Sequence, residues 1–335
     1  MPAVAANPSL SSFSKLGYRT GFMFTRLSIS IGRLPAYLVA AFLLTCGISI
    51  MGVSDNLVRL VSDDVGLGQY HFLRSAMSIA IFLCLRPFLH FQLAPINWRP
   101  VFWRTLCLSL SMTLFFSVLS FLPVALAGAG LFTSPVFVLL FSFLFFGVRP
   151  GWRRILAVIC GSLGVFLVLR PDTQNFHILQ ILPILAGAFY AGASLTTRRY
   201  CADESPYTLS LAYFMMIGII GLFGASFVDF LGIQGRDEAA FLLRGLVWPP
   251  APVYGWIAVM TLLSVVGIFM ITKAYQMAET SYMSIFEYSY LISAGLVGWL
   301  LWGSVFGGGE ITGMGLIIAA GIIAAISAGR HKSQR

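Results

Sequence analysis

Charge is what this chain has least of. Asp, Glu, Lys and Arg make up 10% of its 335 residues, against 58% hydrophobic residues, where a soluble domain carries about 25% charged. A soluble fold would have to hide every apolar stretch in one core, which a chain of this length cannot do. Polar linkers long enough to separate soluble domains are missing as well. The five cysteines (Cys46, Cys84, Cys107, Cys160 and Cys201) fall singly, so neither a disulfide framework nor a zinc site of the usual CxxC spacing is supported. The four histidines, His71, His90, His177 and His331, are scattered, and neither HExxH nor a nucleotide-binding P-loop occurs. No cofactor or metal is expected. The net charge of +9 could suggest nucleic acid, but the basic residues do not cluster on one element; they sit in alternate loops.

What is present is a succession of ten apolar stretches: 35–58, 68–89, 101–121, 124–147, 152–169, 177–198, 207–230, 254–276, 280–304 and 309–329. A bilayer core of ~30 Å takes about 20 apolar residues per helix, so the expected fold is all-α, an integral membrane protein of ten transmembrane helices. Lys and Arg favour the cytoplasmic side. With the N-terminus inside, 16 of the 21 basic residues fall on that side, and Arg59, Arg170, Arg236 and Arg244 fall outside. Arg74 lies within a span. Arg104 and Lys273, at span ends, count among the inner 16. Losing one helix would flip every later loop and scramble this asymmetry. Residues 1–34 form a basic N-terminal tail, either disordered or an interfacial helix on an anionic leaflet, and Met23 is an alternative start. Residues 330–335 form a second basic cytoplasmic tail.

The halves 35–170 and 177–329 look alike. Each has a tight turn between its third and fourth spans, and a fifth span rich in Gly and Ala after a Gly-containing turn. Five crossings is an odd number, so the second copy starts on the opposite side and is inverted. Inverted repeats are a recurring transporter device, with the solute site near the midplane where the halves meet. Small residues (Gly161 with Gly164, Gly187 with Ala191, Gly218 with Gly221, Gly295 with Gly298) permit close helix contact. Pro135 and Pro183 interrupt their helices.

Several runs are more specific. Ala274-Tyr275-Gln276-Met277-Ala278, Ser284-Ile285-Phe286-Glu287-Tyr288 and Gly298-Trp299-Leu300-Leu301-Trp302-Gly303, with Phe132-Thr133-Ser134-Pro135-Val136-Phe137-Val138 and Gly151-Trp152-Arg153-Arg154 in the first half, resemble the EamA-domain proteins of the drug/metabolite transporter superfamily. Ser54-Asp55-Asn56, Gln69 with Phe72-Leu73-Arg74, and the stretch from Tyr190 to Arg199 are similar too. The branch resembled is that of S-adenosylmethionine-uptake and related metabolite carriers. The resemblance implies two EamA repeats, a central cavity and alternating access without ATP. It leaves open whether two copies pair as a homodimer. Val148-Arg149 and Ser304 depart from it, standing where the family often has an acidic residue.

Charges inside a membrane cost at least ~2.5–3.5 kcal/mol each at the bilayer centre, so they need a partner or a task. Asp55 and Arg74 lie at similar depths near the outer side, and Glu287 and Lys273 near the inner side. Each pair could be a latch between helices. On the functional reading, Arg74 holds a solute carboxylate, which its planar fork suits, and Glu287 takes a cationic group or a proton. Tyr190, Tyr213, Tyr275, Tyr288 and Tyr290 could line the cavity, where rings hold a cation or a flat base; ordinary packing would account for them as well. Ser134 and Glu287 fall at matching distances along helices four and nine, which suggests that these helices face each other across the site. The expected substrate-binding set is Arg74, Glu287, Tyr288, Asp55, Asn56, Ser134, Tyr190 and Tyr213. The expected protein is not an enzyme but a secondary carrier in a bacterial inner membrane, both termini cytoplasmic. Its partners would be the lipid bilayer, a small polar solute (amino-acid-, nucleoside- or vitamin-like) and a coupling proton or counter-solute. The rivals are an exporter of amino acids or drugs, a channel, a membrane scaffold or sensor, and a lipid-acting enzyme.

Overall fold

The computed structural model describes residues 35–89, 91–118, 131–169, 181–233, 235, 240–303 and 307–332. They form ten helical segments in chain order: α1 (Ala36–Leu57), α2 (Leu67–Leu89), α3 (Trp98–Val118), α4 (Ser134–Phe146), α5 (Trp152–Leu169), α6 (Ile181–Tyr200), α7 (Pro206–Leu231), α8 (Ala251–Met277), a broken α9 (Thr280–Trp302) and α10 (Gly308–Lys332). No strand occurs among the described residues. In lipid every backbone N–H and C=O must be satisfied within the segment, which a helix does. Left-handed glycines stop three of the helices: Gly147, Gly232 and Gly303 have φ of 63°, 61° and 65°, the conformation a helix C-terminus needs and a Cβ disfavours.

The outward surface is apolar. Phe42, Phe88, Phe145, Phe223 and Phe230 are 66–86% exposed, as suits a lipid-facing girdle. By length and composition, four segments are sufficient to cross a membrane: Ala36–Leu60, α7, α8 and Thr280–Leu301. The other helices are interrupted by arginines or shorter in their described extent. α2 carries Arg74 and Arg86, α3 carries Arg99 and Arg104, and α6 ends in Arg198-Arg199. The ten stretches are therefore not ten equal spans. Two stretches are also discontinuous. α9 is an α turn (Thr280–Met283), a 3-10 segment (Ser284–Tyr288) and an α-helix (Ser289–Trp302). α4 begins at Ser134 with Pro135 in its first turn, where a missing N–H costs nothing. The tail 1–34, the turn at 122–125 and Ser304 lie outside the described residues.

The helices pair across the chain midpoint. α1 packs on α8 and α6 on α3; α1 also meets α9, and α6 meets α4; α2 meets α8, and α7 meets α3; α2 lies against α7, and α5 against α10. Replacing α1–α5 by α6–α10 in order maps each of these pairs onto another or onto itself. Glycines set the closest crossings. A Cβ on Gly47 of α1 would lie 2.9 Å from the Gly267 carbonyl of α8, one on Gly221 of α7 would lie 2.6 Å from the Gly68 carbonyl of α2, and one on Gly164 of α5 would lie 2.7 Å from the Gly313 carbonyl of α10. Real side chains do not approach backbone so closely, so only glycine lets these helices touch.

The end of the bundle holding the α6–α7 and α8–α9 turns is tied by polar contacts. Glu204 accepts the backbone N–H of Ile96 and Asn97 at 3.0 and 2.7 Å, a carboxylate at the start of α3, where the helix dipole favours it. The Gln276 amide donates to the carbonyls of Cys201 and Glu204, both at 2.7 Å. At the opposite end, Gln69 and the Val247 backbone exchange two hydrogen bonds of 2.6 and 3.0 Å.

Candidate functional site

A cavity with about 70 Å³ of open space lies between the helix pairs. It is lined by Met51 and Asp55 of α1, Arg104, Leu108 and Phe115 of α3, Phe132 just before α4, Tyr190, Ser194 and Thr197 of α6, Ile268 and Thr272 of α8, and Glu287 and Tyr290 of α9. Both halves of the sequence contribute walls and charges.

Glu287 sits on the 3-10 segment that breaks α9 and is 3% exposed. Its carboxylate accepts the hydroxyls of Ser134 and Tyr275. Helices four and nine thus meet through the two residues that sequence spacing matched. The partner expected from depth, Lys273, is not used: Glu287 is held by hydroxyls, and no ion pair with Lys273 forms. Depth fixes a level along the bundle but not an angle around the helix. Asp55 also lines the cavity. Tyr290 donates to its Oδ2 at 2.9 Å, and its buried Oδ1 has no partner.

Arg104 is the residue sequence reasoning missed. It is 3% exposed and donates from Nε to Thr197 at 3.1 Å, from Nη1 to the Leu209 carbonyl at 2.9 Å and from Nη2 to Thr272 at 2.9 Å. Three helices fix its fork at the cavity wall. Its position near the start of α3 made it read as a cytoplasmic-end charge. The available signal was the pair of buried threonines, Thr197 and Thr272, in apolar helices.

Arg74 is buried but elsewhere. It donates from Nη1 to Tyr70 at 3.2 Å, and its Nη2 lies 3.4 Å from His71 Nδ1. Its guanidinium stands 5.0 and 5.8 Å from the ring centres of Tyr70 and Phe116, and its Nε has no partner. The expected Asp55–Arg74 latch does not form: among the described residues the one ion pair is Arg154 with Glu279. Arg74 takes its hydrogen-bond partners from its own helix, one turn back.

Of the remaining expected residues, Tyr190 lines the cavity. Asn56 instead bonds the carbonyls of Gly52 and Ala294 at 2.8 and 3.2 Å, stitching α1 to α9. Tyr288 is fully buried against Gly161 and lies 3.2 Å from Ser162, locking α9 to α5. Tyr213 is 1% exposed and packs edge-on to Phe214 rather than on the cavity wall.

A larger vestibule of about 800 Å³ opens at the α6–α7 end, among Arg149, Arg154, Arg198, Arg199 and Glu279. Arg154 grips Glu279 with both Nη atoms, donates to Ser281 at 2.9 Å and stacks 4.0 Å over Tyr282. Beside it, in the α6–α7 turn, burial pushes the Cys201 thiol up to about 11, opposed by the nearby Arg104 guanidinium.

The chain is an all-helical membrane fold with a cavity, lined by a few charged residues among apolar ones, between crossed helix pairs. Residues 38–170 match the EamA-like transporter family. Similar proteins include a riboflavin transporter of Rhizobium johnstonii, 28% identical over 67% of this chain and 69% of that protein. The pseudopaline exporter CntI of Pseudomonas aeruginosa is 24% identical over 80% and 89%, and an S-adenosylmethionine uptake transporter of Rickettsia bellii is 27% identical over 36% and 38%. A solved crystal structure superposes with a TM-score of 0.70 at 14% identity, covering 88% of this chain and 98% of the other, and shares the fold.

Proposed function

We propose that this chain is a secondary carrier that moves a small polar metabolite across a bacterial inner membrane by alternating access, with the central cavity as its solute site. The observation that carries the reading is the convergence of Asp55, Arg104 and Glu287 on one cavity whose walls come from both halves. Three charges on one cavity of a 10%-charged chain call for a partner or a task. The exchange symmetry of the helix pairs supports two inverted repeats that rock against each other, and the basic vestibule is in keeping with a cytoplasmic mouth there. The named relatives are transporters of different metabolites, one of them an exporter, in keeping with a fold whose direction follows the gradients. Glu287, held by two hydroxyls, is the group suited to exchange a proton for solute. The test is counterflow: proteoliposomes preloaded with unlabelled metabolite should accumulate labelled metabolite transiently and saturably. Flux that does not saturate and shows no counterflow would make the protein a channel.

A further inference from the structure

The vestibule at the α6–α7 end encloses about 800 Å³, and its charged lining is four arginines, Arg149, Arg154, Arg198 and Arg199, against one carboxylate, Glu279. Arg154 takes that carboxylate with both Nη atoms. Theirs is the one ion pair among the described residues, so the other three guanidinium groups share a concave surface without a counter-charge from the described chain. Their neutral contacts leave donors over. Arg198 donates from Nη1 to the Gln276 carbonyl, Arg199 lies 5.2 Å over the Phe146 ring, and Arg149 stands exposed in the turn after α4; a guanidinium has five N–H donors. Much of the remaining wall is apolar: Phe146 and Val148 at the end of α4, Leu195 of α6, and Met277 and Met283 on either side of the α8–α9 turn. In the last turn of α4, Leu144 and Phe145 are 60% and 71% exposed, on the surface that meets lipid chains. A cationic rim therefore adjoins a lipid-facing edge.

We propose that Arg149, Arg198 and Arg199 form a phosphate site for the headgroup of an anionic membrane phospholipid. Planar guanidinium forks pair with phosphate oxygens in bidentate fashion, and basic pockets between membrane helices suit anionic headgroups. The apolar border selects a lipid over a soluble phosphate compound. The phosphodiester takes the arginines while the acyl chains lie along the exposed end of α4, whereas a small soluble anion would leave that border unused. Arg149 belongs to the first half of the chain, and Arg198 and Arg199 to the second, so a bound headgroup bridges the halves at the rim of the vestibule. Arg154 stays with Glu279. The inference stands on the membrane fold and the vestibule, and holds whether or not the central cavity carries a solute.

The experiment titrates purified full-length protein in detergent with phosphatidylglycerol, phosphatidylcholine and glycerol 3-phosphate, each separately, and reads bound ligand by native mass spectrometry. Phosphatidylglycerol should bind about tenfold more tightly than phosphatidylcholine, and glycerol 3-phosphate more weakly than either. Arg149→Gln combined with Arg198→Gln and Arg199→Gln should bring the two lipids within about twofold of each other. Arg86→Gln with Arg99→Gln, exposed arginines at the same end of the bundle that do not line the vestibule, should keep the parental preference. Where the triple variant does not fold, Arg149→Gln alone, a change at an exposed turn, should lower the preference about fivefold, and the three ligands on the unaltered protein still decide. Equal binding of the two lipids overturns the site. Equal loss of preference in the Arg86 and Arg99 variant overturns it too, making the attraction a property of the whole basic surface. Glycerol 3-phosphate binding as tightly as phosphatidylglycerol makes the occupant a soluble phosphate compound and overturns the lipid assignment.

Discussion

Two arginines are buried in this bundle, and they are buried differently. Arg74 is 1% exposed and Arg104 3%. Arg74 finds its polar partners on its own helix and rests on aromatic faces. Arg104 finds its partners on α6, α7 and α8 and fronts the cavity. Burial alone therefore does not mark a functional charge. Partners on several other helices fix a fork in space, and a fixed fork beside a cavity can meet a ligand, whereas partners one turn back only make a charge tolerable.

The largest effect that would sharpen this contrast is at Glu287. Glu287→Gln should reduce transport about 100-fold, as hydrogen bonds to a charged buried group are worth ~1.5–3 kcal/mol, with protein still present in the membrane at parental level by fluorescence-detected chromatography. Loss of the protein itself would make Glu287 a latch. Next come the two arginines. Arg104→Gln should lower transport tens-fold, while Arg74→Met, which removes a charge that does not line the cavity, should keep it within about threefold. The reverse ranking would return the solute to Arg74. Gly47→Leu tests the α1–α8 crossing behind the cavity wall: overpacking costs ~1–3 kcal/mol, read as a drop of several degrees in melting temperature. The smallest effect is at Cys201, where a thiol pushed to about 11 should react slowly with maleimide at pH 7.5, since the thiolate is the reactive form. Arg104→Gln removes the opposing cation and should slow it further; Arg74→Met should not.

The helical membrane fold, the succession of helical segments and the meeting of helices four and nine were legible, because apolar length and helical rise are written in the sequence. The angular placement of side chains was not. Tyr288 follows Glu287 and, a third of a turn further round the 3-10 segment, reaches Ser162 while Glu287 lines the cavity. Asn56 follows Asp55 and faces α9. Arg104 was hidden by its place near a helix start, where a basic residue usually marks the membrane surface; its threonines sit 93 and 168 residues away in sequence, beyond any local pattern.

The crossed pairing has a consequence for how the protein is made. Since α1 rests on α8 and α3 on α6, the first five helices leave the translocon without the neighbours they are shaped for. Arg104 must wait, its guanidinium unsupported, until the helices bearing Thr197 and Thr272 have been synthesised. Biogenesis is then a single late event rather than two sequential ones. The amino-terminal half expressed alone should be cleared by membrane proteases, and supplying the carboxy-terminal half as a separate polypeptide should rescue it.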